Sequence, residues 1–345
     1  MKFVLLIFFS LYVSAAQSVA ISGFEYFSTF SNNNYKSDRG RIALNINQGF
    51  GERVRLMSQV DTSYLRIKRL HLDLNYKSYT LRIGRFSRVM GFYNNISDSP
   101  ATYGMAILPH APYNEEFLNS SFSTMNGIQL SNVTYDDDYV LYTELSRGQF
   151  EMGKDDTIQR ALLKGNDLFS VDSPNDNWSV FNKLTYNRNI ELLMEFSNYS
   201  LNFEQLRNTK DQIEQYLSLL YAGKQVKGNI KRVGGSYLFE NDVKITSEVF
   251  RMHVENEGNT NGYYIQVDKG LFTDGMMGFA GYTAAKAPCQ IYKTCSRSSD
   301  LYVGLYKDYK DFFFIAEYHS ITGSAWSETH LPNQSSFVLT IGHRF

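Results

Sequence analysis

Charged side chains recur at alternate positions along short apolar stretches of this chain, and this spacing limits the chemistry that they could perform. Because alternate side chains of a β-strand point to opposite faces, apolar residues of one parity leave the charged residues on the other face. On the early stretches that face collects Arg41, Arg53, Arg55, Arg69, His71, Asp73 and Arg82, and on later ones Glu144, Glu191, Glu195, Glu248 and Asp268. Such a face is suited to lining a path for water, ions and polar solutes.

Catalytic chemistry finds less support in the sequence. A hydrolytic site needs a nucleophile and a base that converge, and no Gly-x-Ser-x-Gly, His-Glu-x-x-His or Cys-x-x-Cys string is present. The histidines are His71, His110, His253, His319, His330 and His343. We predict that the protein is not an enzyme and has no cofactor. Its formal net charge of −1 gives no support to nucleic-acid binding.

The start of the chain has the pattern of a secretory signal peptide. Lys2 supplies a positive charge, residues 3–13 form an apolar core too short to span a membrane, and Ser18-Val19-Ala20 is a small-x-small cleavage site. We predict a signal peptide over residues 1–20 and one domain over residues 21–345. Ala15 and Ala16 are alternative cleavage points.

The two cysteines lie six positions apart in the segment CQIYKTC. Export leads to an oxidising compartment, where cysteines at this spacing close small loops as disulfides. We therefore predict a disulfide between Cys289 and Cys295. A metal site would need further ligands beside the pair, and none flank it, so we predict no metal.

The rest of the chain repeats one unit, in which two alternating segments are joined by a tight polar turn and followed by a longer loop. In residues 200–228, the spacing of Ile213, Leu217 and Leu220 indicates a short helix, with extra strands as the alternative. About sixteen strands are predicted (range 14–18), over residues 21–29, 40–50, 52–61, 66–76, 78–86, 125–134, 138–148, 177–187, 189–199, 229–239, 242–253, 261–271, 275–285, 299–307, 311–321 and 335–345.

Several features place these strands in a membrane. Aromatic residues reach 15%, and strands of about ten residues are long enough to cross a bilayer when tilted. The last segment, SSFVLTIGHRF, keeps one apolar face up to the terminal Phe345. We predict an all-β fold, namely a transmembrane antiparallel β-barrel in a bacterial outer membrane. A secreted or periplasmic all-β protein is the alternative.

The longest predicted loop follows the fifth strand and has the sequence RFSRVMGFYNNISDSPATYGMAILPHAPYNEEFLNSSFS. Loops of this length are usually functional. This one contains Asp98, Glu115 and Glu116. If the loop folds into the barrel, these carboxylates would face the arginines of the early strands across a narrow slot.

A signal peptide, about sixteen alternating strands, a terminal Phe and a long loop after the fifth strand together resemble the general diffusion porins of Gram-negative outer membranes. The resemblance covers the whole mature chain. It implies a cofactor-free, water-filled channel for passive diffusion of small hydrophilic solutes and ions, assembled as a homotrimer. The family's Pro-Glu-Phe-Gly-Gly-like loop segment is replaced here by ATYGMAILPHAPYNEEF, so the loop departs from the family at that point.

The resemblance also implies roles for particular residues. Arg41, Arg53, Arg55 and Arg82 would form the basic wall of a constriction, opposite the loop carboxylates Asp98, Glu115 and Glu116. Phe345 would be read by the barrel assembly machinery. Outer-membrane lipids and lipopolysaccharide would surround the barrel as partners.

A substrate-specific channel of the same barrel type, for sugars or anions, is the main alternative function. Tyr79, Tyr93, Tyr103 and Tyr113 near the long loop could stack on sugar rings, whereas the arginines could bind anions. An outer-membrane adhesin or barrel enzyme is a more remote alternative.

Overall fold

The computed structural model describes residues 18–32, 36–61, 66–92, 124–150, 169–174, 176–205, 215, 222–255, 258–271, 275–286, 297–323 and 334–345. Its strands are β1 (Ser18–Asn32), β2 (Lys36–Phe50), β3 (Val54–Asp61), β4 (Arg66–Tyr76), β5 (Tyr79–Ser87), β6 (Thr124–Tyr135), β7 (Tyr139–Phe150), β8 (Phe169–Asp172), β9 (Asn177–Tyr186), β10 (Ile190–Gln205), β11 (Gln225–Leu238), β12 (Val243–Val254), β13 (Gly258–Gly270), β14 (Met276–Lys286), β15 (Arg297–Tyr309), β16 (Phe312–Gly323) and β17 (Gln334–Arg344). In this part of the chain no helix is long and apolar enough to cross a membrane.

The strands form one closed antiparallel barrel. Neighbours in the chain are neighbours in the sheet, and β1 also pairs with β17. β8 and β9 follow one another along β10, with Phe169–Asp172 opposite Asn202–Gln205 and Trp178–Tyr186 opposite Ile190–Asn198. They therefore occupy one position in the wall, and the barrel has sixteen strand positions. The predicted fold class and strand number are confirmed.

Short turns lie at one end of the barrel and the longest connections at the other, as predicted. In the turn after β9, Asn187 and Arg188 have φ angles of 47° and 62°, and the Asn189 N–H donates to the Tyr186 C=O at 3.1 Å. Positive φ at both central residues is the type I′ geometry, whose twist matches that of the flanking strands. The strand ends that are connected by residues 88–123 and by residues 151–168 are at the opposite end.

Two predictions about the limits of elements fall partly outside the described residues. β10 runs to Gln205 and β11 begins at Gln225, and of the residues predicted as helix between Ile213 and Leu220 only Gln215 is described. β1 begins at Ser18, upstream of the predicted mature start at Ile21. The cleavage point stays a prediction.

Apolar side chains cover the outward face of the barrel. Leu192, Val249 and Leu301, for example, are 51%, 59% and 60% exposed. Exposed aromatic residues gather where strands meet the short turns, and they are Tyr76, Tyr79, Tyr135, Tyr186, Tyr237, Phe239, Tyr309, Phe312 and Phe345. Aromatic rings form such girdles where a transmembrane barrel crosses a membrane–water interface. The short-turn end therefore marks one surface of the bilayer.

The inward face is less polar than strand alternation predicts. Fully buried apolar and aromatic side chains point inward from most strands, and they include Phe86, Met125, Phe150, Phe181, Leu193, Ile230, Phe250, Tyr264, Phe279, Tyr302 and Phe313. The Tyr302 hydroxyl donates to Gln266 Oε1 at 2.9 Å. Rings of this kind fill interior space while their hydroxyls satisfy buried polar neighbours. Part of the interior is therefore packed with apolar and aromatic side chains, which the alternation of charged residues did not predict.

The last residue closes the barrel against the first strand. The Gly23 N–H donates to the Phe345 C=O at 2.7 Å, and the Phe345 N–H donates to the Gly23 C=O at 3.1 Å. A Cβ atom added at Gly23 would lie 2.6 Å from the Phe345 ring and 2.7 Å from the Ala43 carbonyl oxygen. Because Gly23 has no side chain, the Phe345 ring can occupy the space beside it.

We expect Gly23→Ala to weaken barrel closure by about 1–3 kcal/mol, the usual cost of forcing an extra carbon into a filled site. The measurement is urea-induced unfolding of the refolded barrel, followed by the mobility difference between heated and unheated samples on gels. Gly235→Ala is the matched control, because a Cβ added at this strand glycine would meet Leu192 at an ordinary 3.5 Å. Equal unfolding midpoints for the two variants would contradict the role given to Gly23.

Candidate functional site

The chain leaves the barrel wall after β5. Residues Arg88–Phe92, here called the inner segment, contact strands β7, β10 and β12. The Val89 N–H donates to Glu144 Oε1 of β7 at 3.4 Å, and the Phe92 N–H donates to Glu248 Oε1 of β12 at 2.6 Å. β12 lies six strand positions from β5, which is about 29 Å along the sheet at a spacing of about 4.8 Å. Because five residues extend at most about 18 Å, the inner segment must cross the lumen.

The predicted inward fold of the long loop is thus confirmed for the part of the loop that the structure describes. Gly91, with φ at 65°, adopts the left-handed conformation that glycine allows at no steric cost, and the chain turns there. Met90 beside it is 1% exposed. The remainder of the loop, residues 93–123, lies outside the described residues.

Arg88 makes the principal side-chain contacts of the inner segment. Its Nη1 donates to Ser197 Oγ of β10 at 2.8 Å, and its Nη2 lies 3.6 Å from Glu195 Oε1 on the same strand. Its guanidinium also lies 4.9 Å from the centre of the Phe150 ring of β7. One side chain therefore ties the start of the loop to two strands of the wall.

Arg88 belongs to a buried network of charges. Arg232 of β11 lies between two carboxylates, with its Nη1 3.5 Å from Glu195 Oε2 and its Nε 3.7 Å from Glu248 Oε2. The side chains of Arg88, Arg232, Glu195 and Glu248 have no exposed surface. Removing one partner from a buried ion pair costs about 3–5 kcal/mol, because the other charge is left uncompensated. The inner segment supplies one of the two arginines of this network.

Two of the four predicted wall arginines meet at one carboxylate. Arg82 donates from Nε to Asp73 Oδ1 at 2.7 Å, and Arg55 donates from Nη2 to Asp73 Oδ2 at 2.9 Å. Arg82 also donates from Nη1 to Gln129 Oε1 at 3.0 Å. The Arg55 side chain is 48% exposed and that of Asp73 is fully buried. We call Arg55, Asp73 and Arg82 the first triad.

A second triad, formed by Lys183, Glu191 and Lys244, has the same composition of two cations and one carboxylate. Lys183 pairs with Glu191 Oε1, and Lys244 Nζ lies 3.0 Å from Glu191 Oε2. The lysine side chains are 33% and 40% exposed. All members of both triads occupy inward positions close to the short turns. Each triad carries one positive charge in excess.

The other predicted site residues are placed as follows. Arg53 is exposed in the turn between β2 and β3, where its C=O accepts a hydrogen bond from the Asn75 N–H at 2.7 Å. Arg41 pairs with Tyr26 through the backbone of β2. The loop carboxylates Asp98, Glu115 and Glu116 and the cysteines Cys289 and Cys295 lie outside the described residues. Of the arginines predicted for the basic wall, Arg55 and Arg82 lie together at Asp73, and Arg53 lies apart from them.

Sequence reasoning did not select Arg88, Arg232, Lys183 or Lys244 as site residues. Arg88 lies two residues beyond the predicted strand 78–86 and directly after β5, so strand parity gives no information about its direction. The other three stand at inward parity, which is the signal that could have found them. Inward parity identifies Arg232 most clearly, because it is a charged residue between the uncharged inward residues Ile230 and Gly234 of β11.

The described residues hold no group of three or more His, Cys, Asp or Glu side chains arranged to bind a metal ion. His319 is engaged on both sides, with Nδ1 2.7 Å from Asp300 Oδ2 and Nε2 3.2 Å from Glu317 Oε2. Its ring nitrogens are therefore occupied by carboxylates of the wall.

A closed sixteen-stranded barrel with an apolar outside, an aromatic girdle and a loop that enters the lumen is a transmembrane barrel of the porin type. No protein-family model and no curated protein matches the chain. Among solved structures it is similar to the anion-selective porin from Comamonas acidovorans, with a TM-score of 0.63, 11% identity and coverage of 95% of this chain and 99% of that one.

Two further solved structures have the same fold. The trimer form of OmpT from Vibrio cholerae has a TM-score of 0.62 at 10% identity, covering 95% of this chain and 99% of that chain. OmpF of Salmonella typhi, in complex with daunomycin, has a TM-score of 0.60 at 12% identity, covering 97% and 99%. This chain therefore has the fold of the outer-membrane porins, and the predicted transmembrane β-barrel is confirmed.

We expect Arg88→Met to release the inner segment, because the substitution removes the ion pair that joins the segment to Glu195. Of the two cations described above, Glu195 then keeps Arg232. Single-channel recording should show a larger and noisier conductance, and the free energy of unfolding should fall by about 3–5 kcal/mol. Arg147→Met is the control, because Arg147 is exposed on the outward face of β7. An unchanged conductance together with an unchanged unfolding midpoint would contradict the role of Arg88.

Proposed function

We propose that the protein is a non-enzymatic porin that lets small hydrophilic solutes and ions diffuse passively across a bacterial outer membrane. The observation that carries the proposal is the inner segment, which crosses the lumen of a closed barrel and is fixed there by buried charges. A loop held inside a barrel narrows the path without closing it at the wall. The partly exposed triads near the short turns supply polar groups beside that path.

The charges of the triads would act on a solute as it passes. In a narrow space bounded by low-dielectric walls, the field of fixed charges is focused into the path. Charged and zwitterionic solutes can orient in such a field and exchange part of their hydration for contacts with the wall. Apolar solutes gain nothing in exchange for the ordered water that they displace, and they pass less readily.

Preference for anions is a second candidate, and the composition of the triads favours it. Asp73 and Glu191 are each bracketed by two cations, so both triads keep an excess positive charge. Arginine and lysine bind carboxylate and phosphate groups through charge-assisted hydrogen bonds. One solved structure of the same fold is described as an anion-selective porin. A channel specific for one sugar or anion remains the narrower form of this proposal.

The remaining features of the proposal concern assembly and the undescribed part of the loop. We propose a homotrimer, supported by the trimer form recorded for the similar OmpT of Vibrio cholerae. Phe345, bonded to Gly23, would serve as the signal for the barrel assembly machinery. Asp98, Glu115 and Glu116 would complete the constriction opposite Arg55 and Arg82, and Cys289 and Cys295 would form a disulfide.

The test is single-channel recording of the purified protein in a planar bilayer under a gradient of KCl. An open trimer should insert in large steps that close in three equal levels, and the sign of the reversal potential should indicate preference for chloride. Small conductance blocked by one added sugar or anion would support a specific channel instead. Absence of any conductance would contradict the proposed function.

Removal of one exposed cation from each triad should remove the preference for anions, because each triad then carries no net charge. In the double variant Arg55→Gln/Lys244→Gln, each carboxylate keeps one cation, so we expect the reversal potential to move towards potassium selectivity, with conductance changed less than about twofold. Lys269→Gln is the control, because Lys269 lies on the outward face of β13 and its charge does not face the pore. A double variant that keeps the reversal potential of the control would show that the triads do not set the preference.

A further inference from the structure

Phe92, at the end of the inner segment, lies beside the second triad. The Lys183 Nζ atom lies 5.8 Å from the centre of the Phe92 ring. A Cβ atom added at Gly234 of β11 would lie 2.9 Å from Phe92 Cε2, so one edge of the ring rests against this glycine. Phe92 is only partly buried. The ring therefore forms one side of the space that the second triad faces.

The position of the Phe92 ring is fixed by the backbone and by the wall. The Phe92 N–H donates to Glu248 Oε1 of β12 at 2.6 Å, which holds the backbone of residue 92 against the wall. A side chain at position 234 would collide with the ring and would also lie 2.6 Å from Glu248 Cγ. A glycine inside a strand often marks a place where another group approaches the sheet closely. Gly234 provides such a place for the ring.

The two lysines of the second triad keep N–H donors that a solute could use. An ammonium group has three donors, and both lysines direct one of them to the carboxylate of Glu191. Ser236 Oγ also donates to Glu191 Oε2 at 3.0 Å. The carboxylate is thus engaged from several sides, whereas the lysine side chains are 33% and 40% exposed. An anion in the lumen can reach both ammonium groups.

A second carboxylate makes the two ends of the triad unequal. Asp268 of β13 is paired across the strands with Lys244, and its Oδ1 accepts from Gln266 Nε2 at 2.6 Å. Lys183 lies on β9, on the other side of Glu191. The cation that is farther from Asp268 is therefore the one beside the Phe92 ring.

We propose that the second triad and Phe92 form a binding site for small carboxylates that carry an apolar group. The carboxylate would accept charge-assisted hydrogen bonds from the ammonium groups. The apolar group would pack against the Phe92 ring and leave water. Chloride and inorganic phosphate can make only the first of these contacts. This assignment rests on the proposed function, because a solute reaches the second triad through an open lumen.

The first triad provides an internal comparison. Arg55 and Arg82 both donate to Asp73, and Arg82 donates to Gln129 Oε1 at 3.0 Å. These contacts are with polar groups, whereas the second triad combines its cations with an aromatic ring. We therefore expect the first triad to act on anions by their charge, and the second triad to distinguish them by their apolar part.

The experiment measures block of the KCl current through single channels by benzoate, acetate and benzyl alcohol. Benzoate should bind with a Kd at least about fivefold lower than that of acetate, because its ring removes apolar surface from water. Benzyl alcohol has the ring without the charge. It should give no saturable block at the concentrations at which benzoate saturates.

Two variants test the role of the ring. Phe92→Ala removes it and Gly234→Ala displaces it, and each should bring the Kd of benzoate to within about twofold of that of acetate. Lys183→Met should raise both Kd values, because it removes the cation beside the ring. Gly235→Ala is the control for the glycine variant. Arg55→Gln removes a cation of the first triad and should leave the ratio of the two Kd values unchanged.

Three results would overturn the assignment. They are equal Kd values for benzoate and acetate in the unaltered protein, a ratio of Kd values that Phe92→Ala does not change, and saturable block by benzyl alcohol that is as tight as that by benzoate. Any of these in a channel that conducts KCl would contradict the site and leave the proposed function intact. If there is no current, the proposed function fails, and calorimetric titration of the same three compounds into the refolded protein in neutral detergent decides the site.

Discussion

Every polar group of a backbone that crosses hydrocarbon must find its hydrogen-bond partner within the protein, and this constraint determines the rest of the structure. A sheet satisfies it by closing on itself, which removes both edges. Here the closure depends on β1 pairing with β17 up to the last residue, where Gly23 and Phe345 exchange backbone hydrogen bonds. The closed wall then creates an interior that is isolated from lipid. Only in such an interior can charged side chains and a stretch of irregular backbone be retained.

The interior uses this isolation to hold a segment that belongs to no strand. Wall carboxylates accept the Val89 and Phe92 N–H groups of the inner segment. Burying those carboxylates is unfavourable unless cations accompany them. Arg88 and Arg232 provide the compensation, and Arg88 comes from the segment itself.

The sequence was sufficient to predict the barrel because the period of two is local information. The strands, the alternation of connections and the inward direction of Arg55, Asp73 and Arg82 follow from parity. Parity does not reveal how the interior is filled, since Phe181 and Phe250 point inward although they are apolar. Nor does it apply to Arg88, which lies just beyond a strand and whose partners on β10, Ser197 and Glu195, are more than 100 residues away. The contacts of the inner segment depend on the closed shape of the barrel, which no short stretch encodes.

The central claim is that a buried charge pair across the lumen holds the inner segment, and a double-mutant cycle tests it most directly. Unfolding free energies of the refolded barrel would be measured for Arg88→Met, for Glu195→Gln and for the combination. If the two side chains are coupled as the structure shows, the double variant should be more stable than the sum of the single losses predicts, by about 1–3 kcal/mol. Additivity within about 0.5 kcal/mol would contradict the account.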